Sequence, residues 1–158
     1  MAGLEPRGFK WVIAGRLAIS ERIGGYGFQH RRVRREEEII WVAEQGINTV
    51  LSLMPGNQNQ AAYEGATLGF YHYPIEDDLD PEDVEKVFAV LDDALARPGA
   101  SVLVHRELIG DLLVGLMGGY LVHSGLVTDP IVATSVIQEI SGRPLGPEGR
   151  QFIPSAAT

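Results

Sequence analysis

Short apolar and aromatic runs alternate with longer amphipathic segments along this chain. The runs at 47–54 (INTVLSLM), 70–75 (FYHYPI) and 101–104 (SVLV) are rich in β-branched and aromatic residues, a composition typical of buried strands. An imperfect alternation of apolar and polar residues at 11–20 (WVIAGRLAIS) indicates further short extended pieces near the N-terminus. The pattern therefore predicts several short strands separated by longer segments.

The first of the longer segments has the features of a helix. Three glutamates at 36–38 lie where negative charge stabilises a helix N-terminus, and Gly46 is placed to end the helix. We expect Ile39, Ile40 and Ala43 on its buried face.

Later segments carry helix-start signals. Asp80-Pro81 and Asp129-Pro130 each place a capping side chain before a proline, and a shorter helix is predicted at 59–67. The helix after Pro81 has five apolar residues on one face: Val84, Val87, Phe88, Leu91 and Leu95. The helix after Pro130 is expected to point four inward: Val132, Val136, Ile137 and Ile140. Alternating strands and helices predict an α/β fold with a mostly parallel central sheet flanked by helices.

The segment 112–122 is the most apolar in the chain. Its 11 residues fall short of the roughly 20 that a membrane-spanning helix needs, so we predict a buried helix. Gly115, Gly118 and Gly119 each cost about 1 kcal/mol relative to alanine in a helix interior. We interpret them as a sign of close approach to a neighbouring element. No break in composition divides the chain, so a single compact domain over 1–158 is expected.

Composition argues against several classes of function. The chain has 21 acidic and 13 basic residues and a net charge of −8, which disfavours nucleic acid or an anionic membrane as a partner. The absence of cysteine excludes disulfides, thiolate metal sites and cysteine nucleophiles. His30, His72 and His123 lack metal-site spacing, and we expect neither a metal nor a cofactor. The N-terminus has no secretory signal, so a soluble cytoplasmic protein is expected.

The unit best suited to chemistry is the strand at 101–104, the connector at 105–111 and the helix that follows. In an α/β sheet this arrangement places the connector at the carboxyl end of a strand and at a helix N-terminus. Anions are commonly held there, because free N–H groups and the helix dipole converge on the same point. The pattern therefore predicts the geometry of a phosphate cradle.

The sequence VLVHRELIGDLLVGLMGGYLV (102–122) resembles the phosphate loop and following helix of the cysteine-dependent tyrosine and dual-specificity phosphatases. In that family the strand ends in His-Cys, five residues follow, and an Arg then clamps the phosphate that the thiolate attacks. His105 matches the family His, whereas Arg106 stands in place of the Cys. Three further positions differ: Ile109 replaces a Gly, Leu112 the Arg, and Leu113 a Ser or Thr. The resemblance implies a dual-specificity-phosphatase-like fold with a degenerate phosphate loop that cannot perform the family's reaction.

The resemblance extends over most of the chain. Residues 71–81 (YHYPIEDDLDP) are similar to the segment that carries the family's general acid, with Asp77 at the matching position. Residues 142–153 (GRPLGPEGRQFI) resemble the closing stretch in which a Gln helps to position water, here Gln151. The ligand contacts that the resemblance implies for a retained pocket are Arg106, Gly110 and Gln151.

Structural roles compete with these functional ones. His105 is interpreted as a buried, hydrogen-bonded residue, and Arg106 as a side chain that fills the vacated pocket and pairs with Glu107, Asp111 or Asp77. Asp111 is predicted to cap the helix after the loop. Its charge also lies where a phosphate would sit, which opposes phosphate binding.

Two functional hypotheses follow. The first is a pseudophosphatase, a catalytically inactive homologue acting as a binding or regulatory module. The second is a repurposed enzyme that uses His105, Arg106, Glu107, Asp111 and Asp77 for acid–base chemistry on a small molecule. The second requires a pocket open to solvent, and the first predicts that Arg106 seals it. Recognition of a phosphorylated ligand without turnover ranks below both. The partner, protein or small molecule, is not identified, and a homo-oligomer is left open.

Overall fold

The computed structural model describes residues 3–25, 30–56 and 59–154 of the chain. Strands and helices alternate through most of this part. The strands are β1 (Lys10–Ile13), β2 (Leu17–Ser20), β3 (Thr49–Ser52), β4 (Gly69–His72) and β5 (Val102–His105). The helices are α1 (Arg32–Glu44), α2 (Gln60–Gly65), α3 (Pro81–Ala96), α4 (Asp111–His123), α5 (Pro130–Ser141) and α6 (Pro147–Arg150).

The five strands form one sheet in the order β1-β2-β5-β3-β4. Only the edge strand β1 is antiparallel to its neighbour, so the predicted α/β fold with a mostly parallel sheet is confirmed. Strand β5 lies at the centre, and its last residue, His105, is in register with Ser20 of β2 and Ser52 of β3. The loop after β5 therefore leaves the sheet at the middle of its carboxyl edge, where α/β proteins usually place their sites.

Hydrophobic clusters cover both faces of the sheet, because successive strand residues point to opposite sides. On one face, Val104 belongs to a cluster with Phe88 of α3 and Met117 of α4. On the other face, the neighbouring Leu103 belongs to a cluster with Val42 of α1 and Tyr63 of α2. The sheet is thus enclosed by helices on both sides.

Helix α4 is buried along almost its entire length, as its apolar sequence predicts. A Cβ on Gly115 would overlap the backbone of Gly149, and one on Gly119 would overlap the carbonyl of Phe152. The glycines therefore allow α4 to pack directly against the main chain of the closing segment 147–153, which confirms the predicted close approach. Within the described residues, no helix has the length and apolar character needed to span a membrane.

The helix starts predicted at Asp80-Pro81 and Asp129-Pro130 are confirmed. The start predicted for α1 is wrong, because that helix begins at Arg32 and the glutamates at 36–38 lie beyond its first turn. The Asp80 side chain accepts a hydrogen bond from the Asp83 amide at 2.9 Å, and the Asp83 side chain accepts from the Asp80 amide, so α3 begins with a complete capping box. Asp129 caps α5 through the amide of Ile131 at 2.9 Å. Both caps stand directly before a proline, whose fixed backbone angle suits the first helical position.

The buried faces of two helices differ from the prediction. In α1, Ile40 is 50% exposed and Ala43 is exposed as well, whereas Glu38 is fully buried beside Ile39 and Val42. The Glu38 carboxylate accepts hydrogen bonds from the Gly24 amide at 2.9 Å and from Nε of Arg34 at 2.5 Å. These contacts satisfy the charge, which permits its burial.

In α5 the buried residues are Ala133 and Ile137, and Val136 and Ile140 pack against the main hydrophobic cluster as predicted. Val132 is 47% exposed, so its predicted burial is wrong. The inward face therefore starts one residue later than the apolar pattern predicts.

The contact between α4 and the closing segment gives a first testable prediction. Gly115→Ala should lower the free energy of unfolding by about 1–2 kcal/mol, because overpacking costs about 1–3 kcal/mol and main-chain obstruction places this site in the upper part of that range. The gain in helix propensity, about 1 kcal/mol, offsets only part of this cost. Urea unfolding followed by circular dichroism would measure the change.

Gly65→Ala is the matched control. Gly65 is the last residue of α2, and an added Cβ would meet nothing within 4 Å. We expect this variant to be as stable as the parent or slightly more so. Equal stability of both variants would show that the contact between α4 and the closing segment tolerates a side chain.

Candidate functional site

The loop 106–110 connects β5 to α4 at the carboxyl edge of the sheet. Gly110 has an extended backbone and directly precedes the first turn of α4, with no side-chain cap at this helix start. The loop therefore has the position expected of an anion-binding turn. Its side chains determine what it can bind.

His105 lies beneath the loop, at the end of the central strand. It is 1% exposed, and its Nε2 lies 3.3 Å from the hydroxyl oxygen of Tyr63. Burial, which disfavours the charged ring, lowers the pKa of His105 to about 4. His105 is therefore neutral near pH 7, and its interpretation as a buried, hydrogen-bonded residue agrees with the structure.

Arg106 crosses to the neighbouring loop. Its Nη2 donates a hydrogen bond to Oδ1 of Asp77 at 3.1 Å, and the pair is also an ion pair. The Arg106 side chain is only 19% exposed, whereas that of Asp77 is 94% exposed. Of the three carboxylates considered from sequence, Asp77 is thus the one that Arg106 contacts. The guanidinium joins the loop 106–110 to the segment before α3.

Glu107 faces the opposite direction, toward the end of β2. Its Oε1 lies 3.5 Å from Nη1 of Arg22, and its carbonyl accepts a hydrogen bond from the Arg22 amide at 3.3 Å. The Arg22 side chain is 12% exposed and that of Glu107 is 43% exposed. The loop is therefore held on both sides by arginine–carboxylate pairs, one to Asp77 and one to Arg22.

Asp111 does not cap α4, and this prediction is wrong. It is the first residue of the helix, and its carboxylate accepts hydrogen bonds from the amides of Gly146 at 2.7 Å and Gly149 at 2.5 Å. Folding brings the start of α6 against the start of α4, and the Asp111 carboxylate satisfies amides that would otherwise lack a partner. Asp111 is thus a brace between the loop and the closing segment.

A buried polar layer that sequence reasoning missed lies under the loop. Asn59 donates from its side-chain amide to the Ile23 carbonyl at 2.8 Å and to the Tyr63 hydroxyl at 3.3 Å. An enclosed space of about 10 Å³ adjoins this layer, with His105, Arg22, Ser52 and Asn59 among its lining residues. This volume corresponds to about one water molecule. No local motif marks Tyr63 or Asn59, since both act through residues that are distant in sequence.

Gln151 lies apart from the other candidate residues. It is exposed and lines a groove between α3 and the C-terminal segment, together with residues such as Leu79 and Phe88. The structure thus brings together His105, Arg106, Glu107, Gly110, Asp111 and Asp77 around the loop.

No family model matches this sequence. A search of curated proteins also finds no match.

Solved structures, in contrast, match over nearly the whole chain. A kinase-associated phosphatase whose catalytic-site cysteine is replaced by serine superimposes with a TM-score of 0.71 at 15% identity, covering 94% of this chain and 92% of that one. The core catalytic domain of the PP-IP phosphatase SIW14 from S. cerevisiae, in complex with citrate, gives 0.67 at 13% identity, covering 96% and 86%. TpbA of P. aeruginosa, in complex with pTyr, gives 0.66 at 18% identity, covering 90% and 80%.

These likenesses show the fold. The chain has the α/β architecture of dual-specificity-phosphatase-like proteins, with a central, mostly parallel sheet between helices. At sequence identities of 13–18%, the likeness shows a shared fold, whereas chemical activity depends on the side chains at the site.

The burial of His105 gives a second testable prediction, on pH. Below the ordinary pKa of 6.5 the unfolded chain binds a proton at this residue, whereas the folded protein binds one only near pH 4. Stability contributed by His105 is therefore complete above pH 6.5 and is lost as the pH falls toward 4. Between pH 7 and pH 5 the loss should be about 2 kcal/mol.

Urea unfolding at the two pH values would measure this loss. His105→Gln removes the titrating group, so its stability should fall by about 2 kcal/mol less than that of the parent over the same interval. An identical pH dependence of His105→Gln and the parent would assign the acid sensitivity to other groups.

Proposed function

We propose that this protein is a catalytically inactive homologue of the dual-specificity phosphatases that acts as a binding or regulatory module. One observation carries the proposal. At the turn where the resemblance to the family expects the nucleophile, the chain has Arg106, whose side chain is mostly buried and ion-paired with Asp77. The chain contains no cysteine at all.

The chemistry of the family needs two groups that these positions lack. A thiolate must attack phosphorus, and a guanidinium must clamp the phosphate oxygens through paired hydrogen bonds. Leu112, at the position that resembles the clamp, is 8% exposed, and Leu113 beside it is fully buried. Both belong to the hydrophobic cluster on the α3–α4 face of the sheet. Neither side chain offers a donor or a charge, which supports the loss of this reaction.

Electrostatics around the loop also disfavours a phosphorylated ligand. The Arg106 guanidinium is engaged by Asp77, and the Asp111 carboxylate stands at the start of α4. In an active cradle that helix start would offer its amides and positive dipole end to the phosphate. Here a carboxylate occupies the first turn, so a phosphate dianion would meet repulsion.

The alternative of a repurposed enzyme needs a solvent-accessible pocket beside its acid and base. The space adjoining His105 holds about 10 Å³, which is too small for a metabolite. His105 itself is neutral and 1% exposed, so it cannot reach a substrate as a general base. The observations therefore favour a binding module over an enzyme.

A third testable prediction follows from this proposal. The purified protein should not hydrolyse p-nitrophenyl phosphate. Arg106→Ala should be equally inactive, because removing the Arg106 side chain restores neither a nucleophile nor an arginine that binds the phosphate. Neither phosphate nor phosphotyrosine should raise the melting temperature, whereas a true ligand at a hundred times its dissociation constant would add about 2.7 kcal/mol. Turnover by the parent that Arg106→Ala abolishes would refute the proposal.

Arg106→Ala should also be destabilised by about 1 kcal/mol, because its aliphatic stem and guanidinium are largely buried. Asp77→Ala should cost less than about 0.5 kcal/mol, since this carboxylate is exposed and screened by solvent. Arg32→Ala, which removes an exposed ion pair with Glu36, is the control and should be close to neutral. A small molecule that stabilises the parent but not Arg106→Ala would instead support the repurposed enzyme.

A further inference from the structure

A groove with apolar walls lies between α3 and the C-terminal segment that follows α6. Phe88 and Phe152, each 7% exposed, form part of its lining and belong to the main hydrophobic cluster. Leu79 and Val84 are half-buried and also line it. The groove is therefore an opening onto the core, where apolar surface stays accessible to a partner.

The volume of the groove is about 270 Å³. Pockets that enclose whole small molecules usually measure roughly 300–1,000 Å³. A groove just below this range suits one or two anchoring side chains of a longer ligand. Burial of such anchors in apolar pockets commonly provides most of the affinity at peptide and protein interfaces.

The segment that supplies one wall of the groove is strongly acidic. Seven carboxylates occur between positions 76 and 85: Glu76, Asp77, Asp78, Asp80, Glu82, Asp83 and Glu85. Glu85 lines the groove directly, together with Leu79 and Pro81 from the same run. The one basic residue between 76 and 96 is Lys86, and it is already paired with Glu82 at 3.3 Å. The groove therefore has apolar walls and the carboxylate of Glu85 on its lining, within a segment of negative net charge.

We propose that this groove is the docking site for a short segment of another protein, with one or two apolar anchors flanked by Lys or Arg. The inference rests on the proposed function, because it names the partner class of a binding module. The anchors would pack against Phe88 and Phe152, and the flanking cations would face the carboxylates of 76–85. Complementary charge of this kind directs partner choice and speeds association.

The negative charge of the segment 76–85 also disfavours other ligands for the groove. A phosphorylated ligand or a nucleic acid would be repelled by the same carboxylates. A second copy of this chain would bring another molecule of net charge −8 against an acidic surface. A basic segment of a different protein is the occupant whose chemistry fits both the apolar walls and the acidic side.

The test is selection from a display library of random dodecapeptides on the immobilised full-length chain. The recovered peptides should combine leucine-like or aromatic residues with Lys or Arg. Synthetic labelled copies, titrated by fluorescence anisotropy, should lose at least tenfold in affinity on Val84→Asp and several-fold on Glu85→Lys. Their binding should also weaken as salt is raised, because the flanking charges are solvent-exposed.

Two variants on α5 serve as matched controls. Ile131→Asp changes an apolar side chain that is 69% exposed, and Glu139→Lys changes an exposed carboxylate. Both should bind the peptides as the parent does. Circular dichroism melting would check that each groove variant is folded.

Three results would overturn the docking site: no enrichment of any peptide, enrichment of sequences without basic residues, or affinities that Val84→Asp and Glu85→Lys leave unchanged. Sedimentation equilibrium showing a dimer that Val84→Asp dissociates would assign the groove to a second copy instead. Failure of the docking site would leave the inactivity toward p-nitrophenyl phosphate untouched, so the two proposals fail separately.

Discussion

The tight contact between helix α4 and the closing segment is the constraint on which the rest of this structure depends. Helix α4 runs from the centre of the sheet through the middle of the core, and Gly115 and Gly119 bring its backbone against the main chain at 149 and 152. Main chain cannot move aside as a side chain can, so this contact determines where α4 begins. It also determines where the loop 106–110 lies, and Asp111 ties that loop to the start of α6.

The loop at this position has the location of an anion-binding turn, and neighbouring elements hold it in place. Arginine–carboxylate pairs to Asp77 and Arg22 hold it from two sides, and a neutral His105 supports it from below. The charged side chains at 106, 107 and 111 thus all have partners within the protein. In the proposed inactive homologue, this arrangement stabilises the scaffold in place of the open, positively charged site that phosphoryl transfer requires.

The groove beside α3 is linked to the same packing constraint. Phe152 is the residue whose carbonyl lies against Gly119, and it lines the groove together with Phe88. The packing that places the loop therefore also shapes the groove. The acidic segment 76–85 contacts both the loop 106–110 and the groove, since Asp77 pairs with Arg106 and Glu85 lines the groove.

The sequence by itself determined the α/β alternation, the capped starts of α3 and α5, the buried character of α4 and the meaning of its glycines. These features depend on periodicity and on hydrogen bonds between residues close in sequence. Only the tertiary structure decided which distant residues meet. Arg106 pairs with Asp77, which is 29 residues away in the sequence, and His105 contacts Tyr63, which is 42 residues away. Asp111 accepts hydrogen bonds from amides at the start of α6. Such contacts depend on which loops the fold brings together, and many carboxylates of this acidic chain could have served equally well by local pattern alone.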